Sequence, residues 1–471
     1  MKQTIKRIAG CLAVLCLLVL TLDCLNRVTM RKESQQKYAD FFREEQNFDV
    51  LFLGNSRAMN AFLPMELWND YGIVSYNLSG HGCYLPTSYW ILQNALDYTT
   101  PQVVVVDCTN ISSKWMMPSM AFTHNSFDAF PLSMTKVRAV MDMVGESEVG
   151  TGDTLERRAE LLWPFITYHG RWNQLEKADL SLTSALEKGA ESRIAVHVPA
   201  DTSGVNREAV FEEDSVGKEY LVRLIQDCKN RGIRVLLTFL PFPASEGYWK
   251  EANCVTQIAR EQGVEYVNFL TMDVVDYQTD CYDADSHLNP SGARKVTAWL
   301  GRHLQQTYAV ADRRDEAAFH HWNRDYERYY DDKLEKMWEV ETGYEFLMLL
   351  ADDDFSFVME INNIDLRQDP QYCRLLQNFG ADPERLGQGI VYLIADRTRG
   401  TLEYVTREAL EAGPVTTALG QLRLAEEDGE SVIFLEDAEC IRATNQYRYD
   451  LRVSLYSLEG KQIKKLQLDV N

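Results

Sequence analysis

The stretch that decides the fold is "DVLFLGNSR", residues 49–57, in which four apolar residues run into a small polar turn. Val50–Leu53 is too short for a helix and is typical of a buried strand. The Gly-Asn pair that follows favours a turn, and "RAMNAFLPMELWNDYG" after it predicts one amphipathic helix that ends at Gly72. Ser56 is therefore predicted to lie where a strand passes into a helix.

The position of Ser56 has two interpretations. The first turn of a helix has unpaired N–H groups and the positive end of the helix dipole, which suit a serine that handles negative charge. Serine is also a preferred helix cap, and a cap needs no further chemistry. A catalytic role for Ser56 requires a base from another part of the chain.

Length and composition set limits on the class of protein. The chain has 471 residues, of which 45% are hydrophobic, and this indicates a globular protein of two or three domains. The net charge of −22 and the lack of a Lys/Arg cluster argue against nucleic acid as a partner. The ten cysteines form no CxxC pair, so we expect neither a disulfide framework nor a metal site, and no cofactor.

The N-terminus differs from the rest of the chain. "MKQTIKR" is basic, and Ile8–Leu22, "IAGCLAVLCLLVLTL", carries no charge. Its length falls between a signal-peptide core and a membrane span, but no small-x-small cleavage site follows it. Residues 1–30 are therefore predicted to be an uncleaved, single-pass membrane anchor that leaves the catalytic domain extracellular.

Strands and helices alternate after this segment. The apolar runs "DVLFLG", "IVSYNLSG", "QVVVVDC", "IRVLLTFLPFP" and "VEYVNFL" are separated by helical patterns. This alternation predicts an α/β domain over residues 31–311, a flavodoxin-like three-layer sandwich with a parallel sheet, interrupted by an insertion at about 109–216. Ligands of such sheets bind beyond the carboxyl ends of the strands, which is where Ser56 is expected.

The last third of the chain has a different pattern. Residues 312–342 are strongly charged and aromatic and predict a linker helix. Residues 343–471 contain short apolar runs, among them "YEFLMLLA", "FSFVMEIN", "GIVYLIADR" and "SVIFLE", with one helix near 371–379. We expect a separate β-rich accessory domain that contributes no catalytic residue.

The candidate base is in "TDCYDADSHLNPSGARK", between the fifth strand and the last helix of the α/β domain. His287 has three acidic neighbours, Asp280, Asp283 and Asp285. A serine hydroxyl becomes a nucleophile when a neutral imidazole takes its proton, and a carboxylate orients that imidazole. His287 and Ser56 are predicted to share one edge of the sheet, which favours a catalytic pair over two unrelated helix-start residues.

These segments together resemble the SGNH, or GDSL-like, hydrolase superfamily. "GNSR" is similar to its first block, "YNLSGHG" to the second, "VVVVDCTN" to the third and "DADSHLNPSGA" to the last. The resemblance implies that Ser56 is the nucleophile and that Gly82 and Asn110 form the oxyanion hole. Gly80 and Asn77 are the alternatives for these two donors.

The chain also departs from the family pattern. The first block has Asn before Ser56 where the family has Asp, and the third lacks the usual GxND. Ala284 stands three residues before His287, where the family has its aspartate. Asp283 is our first choice for the triad carboxylate and Asp285 the second, and some relatives use a Ser-His dyad.

The layout is similar to that of membrane-anchored bacterial SGNH proteins of polysaccharide O-acetylation and teichoic acid D-alanylation. The resemblance implies a serine-dependent acyl ester hydrolase or O-acyltransferase that acts on cell-surface or extracellular polysaccharide. The expected partners are an acylated polysaccharide or small ester, and a membrane-bound acyltransferase. The alternative is a catalytically idle SGNH scaffold that is a membrane-tethered partner in polysaccharide assembly.

Overall fold

A computed structural model of the protein describes most of the chain. The described residues are 2–30, 33–44, 47–145, 154–176, 179, 186–352, 355–362, 368–386, 389–443, 449–458 and 460–469. They divide into two compact units. The first comprises Met1–Glu191, Thr202–Val274 and Thr297–Tyr326, and the second comprises Ser192–Asp201, Val275–Val296 and Glu327–Asn471.

The first unit contains a five-stranded parallel sheet in the order β2-β1-β3-β4-β5. Its strands are β1 Val50–Leu53, β2 Ser75–Asn77, β3 Val103–Asp107, β4 Arg234–Phe239 and β5 Glu265–Asn268. Every residue of β1, β2 and β3 is buried, because helices cover both faces of such sheets. The predicted α/β fold with a parallel sheet is confirmed, and the strand order is that of flavodoxin-like sheets.

The helices of the α/β part and of the segments around it follow the predicted alternation. They are α1 Lys2–Thr29, α2 Glu33–Phe41, α3 Ser56–Ala61, α4 Pro64–Tyr71, α5 Leu85–Ala95, α6 Met120–Phe127, α7 Met134–Met143, α8 Thr154–Leu162, α9 Phe165–Tyr168, α10 Val216–Asn230, α11 Glu246–Gln262, α12 Pro290–Tyr308 and α13 His320–Trp338. Helices α6 to α9 belong to the predicted insertion, and α13 lies in the predicted linker.

The prediction of one helix after Ser56 is wrong. The segment forms two helices, α3 and α4, which are separated by extended residues at Phe62 and Leu63. Pro64 is the first residue of α4, and a proline keeps the residue before it out of the helical region. Helix α4 ends at Gly72, as predicted, in a left-handed conformation with φ 65°.

The second unit contains two antiparallel sheets, ordered β14-β13-β6-β7-β8 and β12-β11-β10-β9. The strands are β6 Ser356–Ile361, β7 Val391–Asp396, β8 Thr401–Thr406, β9 Val415–Thr417, β10 Gly420–Glu427, β11 Glu430–Leu435, β12 Ala438–Ala443, β13 Leu451–Tyr456 and β14 Gln462–Leu468. Its further helices are α14 Gly343–Leu349, α15 Pro370–Asn378 and α16 Arg407–Ala412. The predicted β-rich character of this region is confirmed.

One predicted strand of this region is wrong. "YEFLMLLA" lies mostly in helix α14, whose buried residues include Phe346 and Leu349. Thr342 caps the helix by accepting a hydrogen bond from the N–H of Glu345, and the Glu345 side chain bonds back to the Thr342 N–H. This reciprocal capping box is a local signal for a helix start, and it decides the structure of an apolar run that has no clear period.

Helix α1 is long and apolar enough to cross a membrane. Its span Arg7–Thr29 has 23 residues and a mean hydropathy of 2.6. The apolar stretch of this span is not buried against the rest of the protein. It is the one such helix among the described residues. By length and composition it fits a signal anchor or a signal peptide.

All ten cysteines are free thiols. Those on α1 are exposed, whereas beyond α1 six are buried and one is half-buried. The buried ones are Cys83, Cys108, Cys228, Cys254, Cys281 and Cys440.

Candidate active site

The turn that carries Ser56 lies in the first unit, at the carboxyl end of β1. Asn55 is the cap of α3, because its side-chain oxygen accepts a hydrogen bond from the N–H of Arg57 at 2.9 Å. Ser56 is the first residue of the helix and is half-buried. Asn55, and not the hydroxyl of Ser56, is thus the cap of this helix.

Gly54 allows the chain to pass close to its neighbours just before Ser56. Its φ is +153°, a conformation that side chains rarely adopt. A Cβ at this position would lie 2.8 Å from the Cβ atoms of Ala58 and Asp107. The turn is therefore packed against α3 on one side and against the end of β3 on the other.

Asp107 is a buried carboxylate that sequence reasoning did not select. It is the last residue of β3 and is 1% exposed. Its Oδ1 accepts a hydrogen bond from the N–H of Leu240 at 3.2 Å, and its Oδ2 is buried with no hydrogen-bond partner among the described residues. Burial raises the pKa of Asp107 to about 6, against the opposing effect of the positive charge of Arg57.

Arg57 places a cation beside this turn. Its guanidinium lies over the ring of Phe242, 3.8 Å from the centroid, and 5.8 Å from that of Tyr248. The charged plane is therefore oriented by a cation–π contact with the segment that follows β4.

The two alternative oxyanion donors are engaged in holding the fold. The side-chain nitrogen of Asn77 donates to the carbonyl oxygens of Ala58 and Phe62, both at 2.9 Å. These bonds occupy both hydrogens of the amide and satisfy carbonyls at the end of α3. The N–H of Gly80 donates to the carbonyl of Gly54 at 3.1 Å. Both groups thus stabilise the Ser56 turn.

The two preferred donors lie in left-handed turns. Gly82 has φ 61°, and a Cβ there would lie 2.9 Å from the ring of Phe122. Asn110 has φ 69°, and its N–H donates to Oε2 of Glu251 at 2.9 Å. Its side-chain amide forms no hydrogen bond with the part of the chain that the structure describes, so it is available to a ligand oxygen.

Glu251 of α11 fixes the loop that carries Asn110. Besides the Asn110 N–H, its carboxylate accepts a hydrogen bond from the hydroxyl of Ser112. Burial raises the pKa of Glu251, and these hydrogen bonds oppose the rise. Glu251 was not predicted, because only the fold brings α11 to this loop.

His287 lies in the second unit and is held by Asp283. The Nδ1 of His287 is 2.8 Å from Oδ2 of Asp283, and the backbone N–H of His287 donates to Oδ1 of the same carboxylate at 3.0 Å. The ring of Tyr282 stacks on the imidazole, with centroids 5.5 Å apart and planes at 19°. Asp283 and Tyr282 together fix the orientation of the imidazole ring.

The loop around His287 is a narrow hairpin. The N–H of Tyr282 donates to the carbonyl of His287 at 2.9 Å, and Cys281 forms a β-bridge with Leu288. Ser286 has φ 61°, which turns the chain between the two arms. These contacts span only a few residues, so the His287–Asp283 geometry is determined locally.

The other two acidic neighbours have different surroundings. Asp280 is fully buried, and its carboxylate accepts hydrogen bonds from Ser291 at 2.9 Å and Lys295 at 2.7 Å. These contacts fasten the start of α12. Asp285 is exposed.

Asp283, Asp285 and His287 each offer an atom within 4.8 Å of the other two, the one such grouping found among the described residues. They could hold a cation, but exposed acidic groups often gather in this way without one. The short Nδ1–Oδ2 hydrogen bond instead matches the arrangement of a histidine general base.

Comparison with known proteins finds distant likeness among solved structures only. No family model and no curated protein matches the chain. Among solved structures, it is similar to a Bacteroides fragilis protein described as a candidate acylhydrolase, with 10% identity and a TM-score of 0.29. The match covers 59% of this chain and 99% of that one. At this level the likeness carries no argument about residues or substrate.

Proposed function

We propose that the protein is a serine-dependent acyl ester hydrolase or O-acyltransferase. Ser56 is the nucleophile, His287 the general base and Asp283 the carboxylate that orients it. The proposal depends above all on the Asp283–His287 hydrogen bond. In a neutral imidazole whose Nδ1–H donates to a carboxylate, Nε2 has the free lone pair that takes the serine proton.

The chemistry proceeds through an acyl-enzyme. Ser56 Oγ attacks the acyl carbon while His287 Nε2 takes its proton, and the carbonyl oxygen becomes an oxyanion. The N–H of Gly82 and the amide of Asn110 donate to that oxyanion. His287 then returns the proton to the leaving alcohol, which leaves the acyl group on Ser56. A water or a sugar hydroxyl, deprotonated by His287, attacks this ester and regenerates the serine.

The proposed substrate is an acylated polysaccharide at the cell surface or outside the cell, or a small ester. The support is the apolar α1, which is long enough to span a membrane. In this proposal it is a single-pass anchor that leaves the catalytic domain extracellular. In the transferase form, a membrane-bound acyltransferase supplies the acyl group to Ser56, and the polysaccharide hydroxyl accepts it. The β-rich region has an accessory role.

Labelling with a fluorophosphonate probe tests the nucleophile on the full chain in detergent. Ser56→Ala should abolish labelling and lower p-nitrophenyl acetate turnover at least about a thousandfold. Ser245→Ala is the matched control, because Ser245 also follows a strand of the sheet and precedes a helix. Labelling and turnover should be unchanged in this control.

The same experiment discriminates between the two candidate functions. Wild-type labelling of a folded Ser56→Ala protein would exclude Ser56 as the nucleophile. A wild-type protein that is folded but neither labelled nor active would support the idle scaffold instead. Loss of labelling in His287→Ala would show that Ser56 depends on this base.

A further inference from the structure

A cavity of about 740 Å³ lies within the first unit, between the C-terminal part of α1 and the insertion. Its apolar wall includes Leu20, Leu22 and Met30 of the α1 segment and Phe130, Leu162 and Trp163 of the insertion. The cavity is separate from the Ser56 turn. None of the proposed catalytic residues lines it.

The basic side chains in its wall already have partners. Arg27 pairs with Asp23 at 2.8 Å, and Arg43 pairs with Asp40 at 3.0 Å. The buried amine of Lys136 donates to the carbonyl of Phe130 at 3.0 Å. The acidic Asp128 of the wall lies 2.8 Å from Nδ1 of His124. The charged groups of the wall thus have partners within the protein, and its apolar part suits an uncharged occupant.

The end of α1 is fastened to the insertion. Nη1 of Arg171 donates to the carbonyl of Thr29, the last residue of α1, at 2.7 Å. Nη2 of Arg171 is held by the carboxylate of Asp179 at 3.2 Å. A cation at the last turn satisfies the free carbonyls of a helix and its negative dipole end. The C-terminal end of α1 is therefore held against the insertion.

The apolar span sets the depth of the cavity in a membrane. A hydrocarbon core of about 30 Å needs about 20 helical residues, so a span that begins at Ile8 reaches about Arg27. Leu20 and Leu22 then lie within the hydrocarbon of the leaflet nearest the catalytic domain. At the cavity wall, Leu132 is 73% exposed and Trp163 is 41% exposed. Exposed tryptophans are typical of the boundary between lipid and water.

We propose that this cavity binds an acyl chain of a membrane phospholipid from that leaflet. The inference rests on the proposed membrane anchor, because α1 must remain attached and inserted. Acyl chains are the apolar molecules that surround this part of α1 and can enter the cavity without crossing water. A bound chain would hold the insertion at the membrane surface, on the same side as the Ser56 turn.

Fluorescence quenching by brominated lipid tests the proposal on the full chain. The protein is reconstituted into vesicles of dioleoylphosphatidylcholine, and into vesicles whose oleoyl chains carry two bromines each. Subtracting the emission of Trp163→Phe isolates the contribution of Trp163. We expect bromine to quench Trp163 at least twofold.

A variant that fills the cavity separates a bound chain from ordinary lipid contact. Ala129 lines the cavity, and Ala129→Phe should restore most of the Trp163 emission in brominated vesicles. Ala121→Phe, an exposed position on α6 outside the cavity, is the matched control and should leave the quenching unchanged.

Equal quenching in Ala129→Phe and wild type, or no quenching of Trp163 in the inserted protein, would overturn the proposal. Ester hydrolysis is measured on the same vesicles. Hydrolysis that depends on Ser56 but comes with no quenching would remove the lipid site and leave the proposed function intact. Quenching that responds to Ala129→Phe, in a protein that hydrolyses no ester, would support the lipid site and contradict the proposed function.

Discussion

The turn that carries Ser56 and the loop that carries His287 are built in different ways. The first depends on close packing between elements that are distant in sequence, because Gly54 leaves no room for a side chain between Ala58 and Asp107. The second depends on hydrogen bonds between near neighbours, above all Asp283 and His287. Substitutions in the turn should therefore disturb stability and activity together, whereas substitutions in the loop should disturb activity with the fold intact.

Among the substitutions that compare these supports of the two regions, Asp283→Asn is expected to have the largest effect on activity. It removes the charge that stabilises the imidazolium and the acceptor that selects the Nδ1–H tautomer of His287. Loss of such a carboxylate lowers kcat by up to about ten-thousandfold. Steady-state hydrolysis of p-nitrophenyl acetate would measure the loss, and thermal unfolding should show little change.

Asp285→Asn is the matched control for this variant, because it makes the same chemical change at an exposed position two residues away. Activity should stay within about threefold of wild type. A large loss in Asp285→Asn together with a small loss in Asp283→Asn would assign the triad role to Asp285.

Gly54→Ala tests the packing of the Ser56 turn. The added Cβ would meet two other Cβ atoms at 2.8 Å and would have an unfavourable φ. We expect a loss of about 2 to 4 kcal/mol in the free energy of unfolding, with a loss of activity in parallel. Gly232→Ala is the control, because Gly232 has φ 73° but no atom within 4 Å of an added Cβ. A cost no greater than that of Gly232→Ala would contradict the steric explanation.

Asp107→Asn should change how stability depends on pH. The pKa of Asp107 is about 6 in the folded protein and near 3.8 in the unfolded chain, so the folded state keeps a proton that the unfolded state has lost. Wild-type stability should therefore fall as the pH rises from about 4 to about 6.

The asparagine variant lacks this ionisation. The free energy of unfolding of the variant minus that of wild type should be larger at pH 7 than at pH 4, by about 2 to 3 kcal/mol. Urea unfolding at the two pH values measures the difference. If the difference in unfolding free energy between wild type and variant were the same at pH 4 and pH 7, the ionisation of Asp107 would not destabilise the folded protein.

Tyr282→Leu should have the smallest effect of these substitutions. It removes the ring that stacks on His287 but leaves the hydrogen bond to Asp283. We expect a two- to tenfold fall in kcat/KM, since such ring contacts contribute about 0.5 to 1.5 kcal/mol. Tyr282→Phe keeps the ring and should behave like wild type. Equal losses in both variants would assign the effect to the hydroxyl group instead.

The parallel sheet could be predicted because Val50–Leu53 and residues 103–106 are apolar on both faces. A strand buried on both faces needs no alternation, and its sequence shows this without knowledge of its neighbours. The apolar run at α14 also lacks alternation, so its pattern fits a buried strand or a buried helix. Only the capping pair Thr342 and Glu345 distinguishes the two. Pro64 is a sequence signal for the start of a second helix, and the prediction of one helix after Ser56 did not use it.

Ser56 and His287 could be selected as candidates from the sequence because each stands next to a predicted element, whereas the residues that support them could not. The burial of Asp107 and the contact of Glu251 with the Asn110 loop arise from packing across long stretches of chain. No local pattern reports such contacts. The pairing of His287 with Asp283 is a contact over four residues. The sequence offered Asp283 as the first choice and left Asp285 open as the alternative.

The buried cysteines determine how the folded protein responds to oxidants. Burial raises the pKa of Cys83, Cys108, Cys254 and Cys440, and that of Cys228 to about 12. Thiolates are the species that oxidants and disulfides attack, so these sulfurs react slowly once the chain has folded. These five thiols should therefore stay reduced when the folded protein meets an oxidant, whereas the exposed Cys11, Cys16 and Cys24 lack this protection.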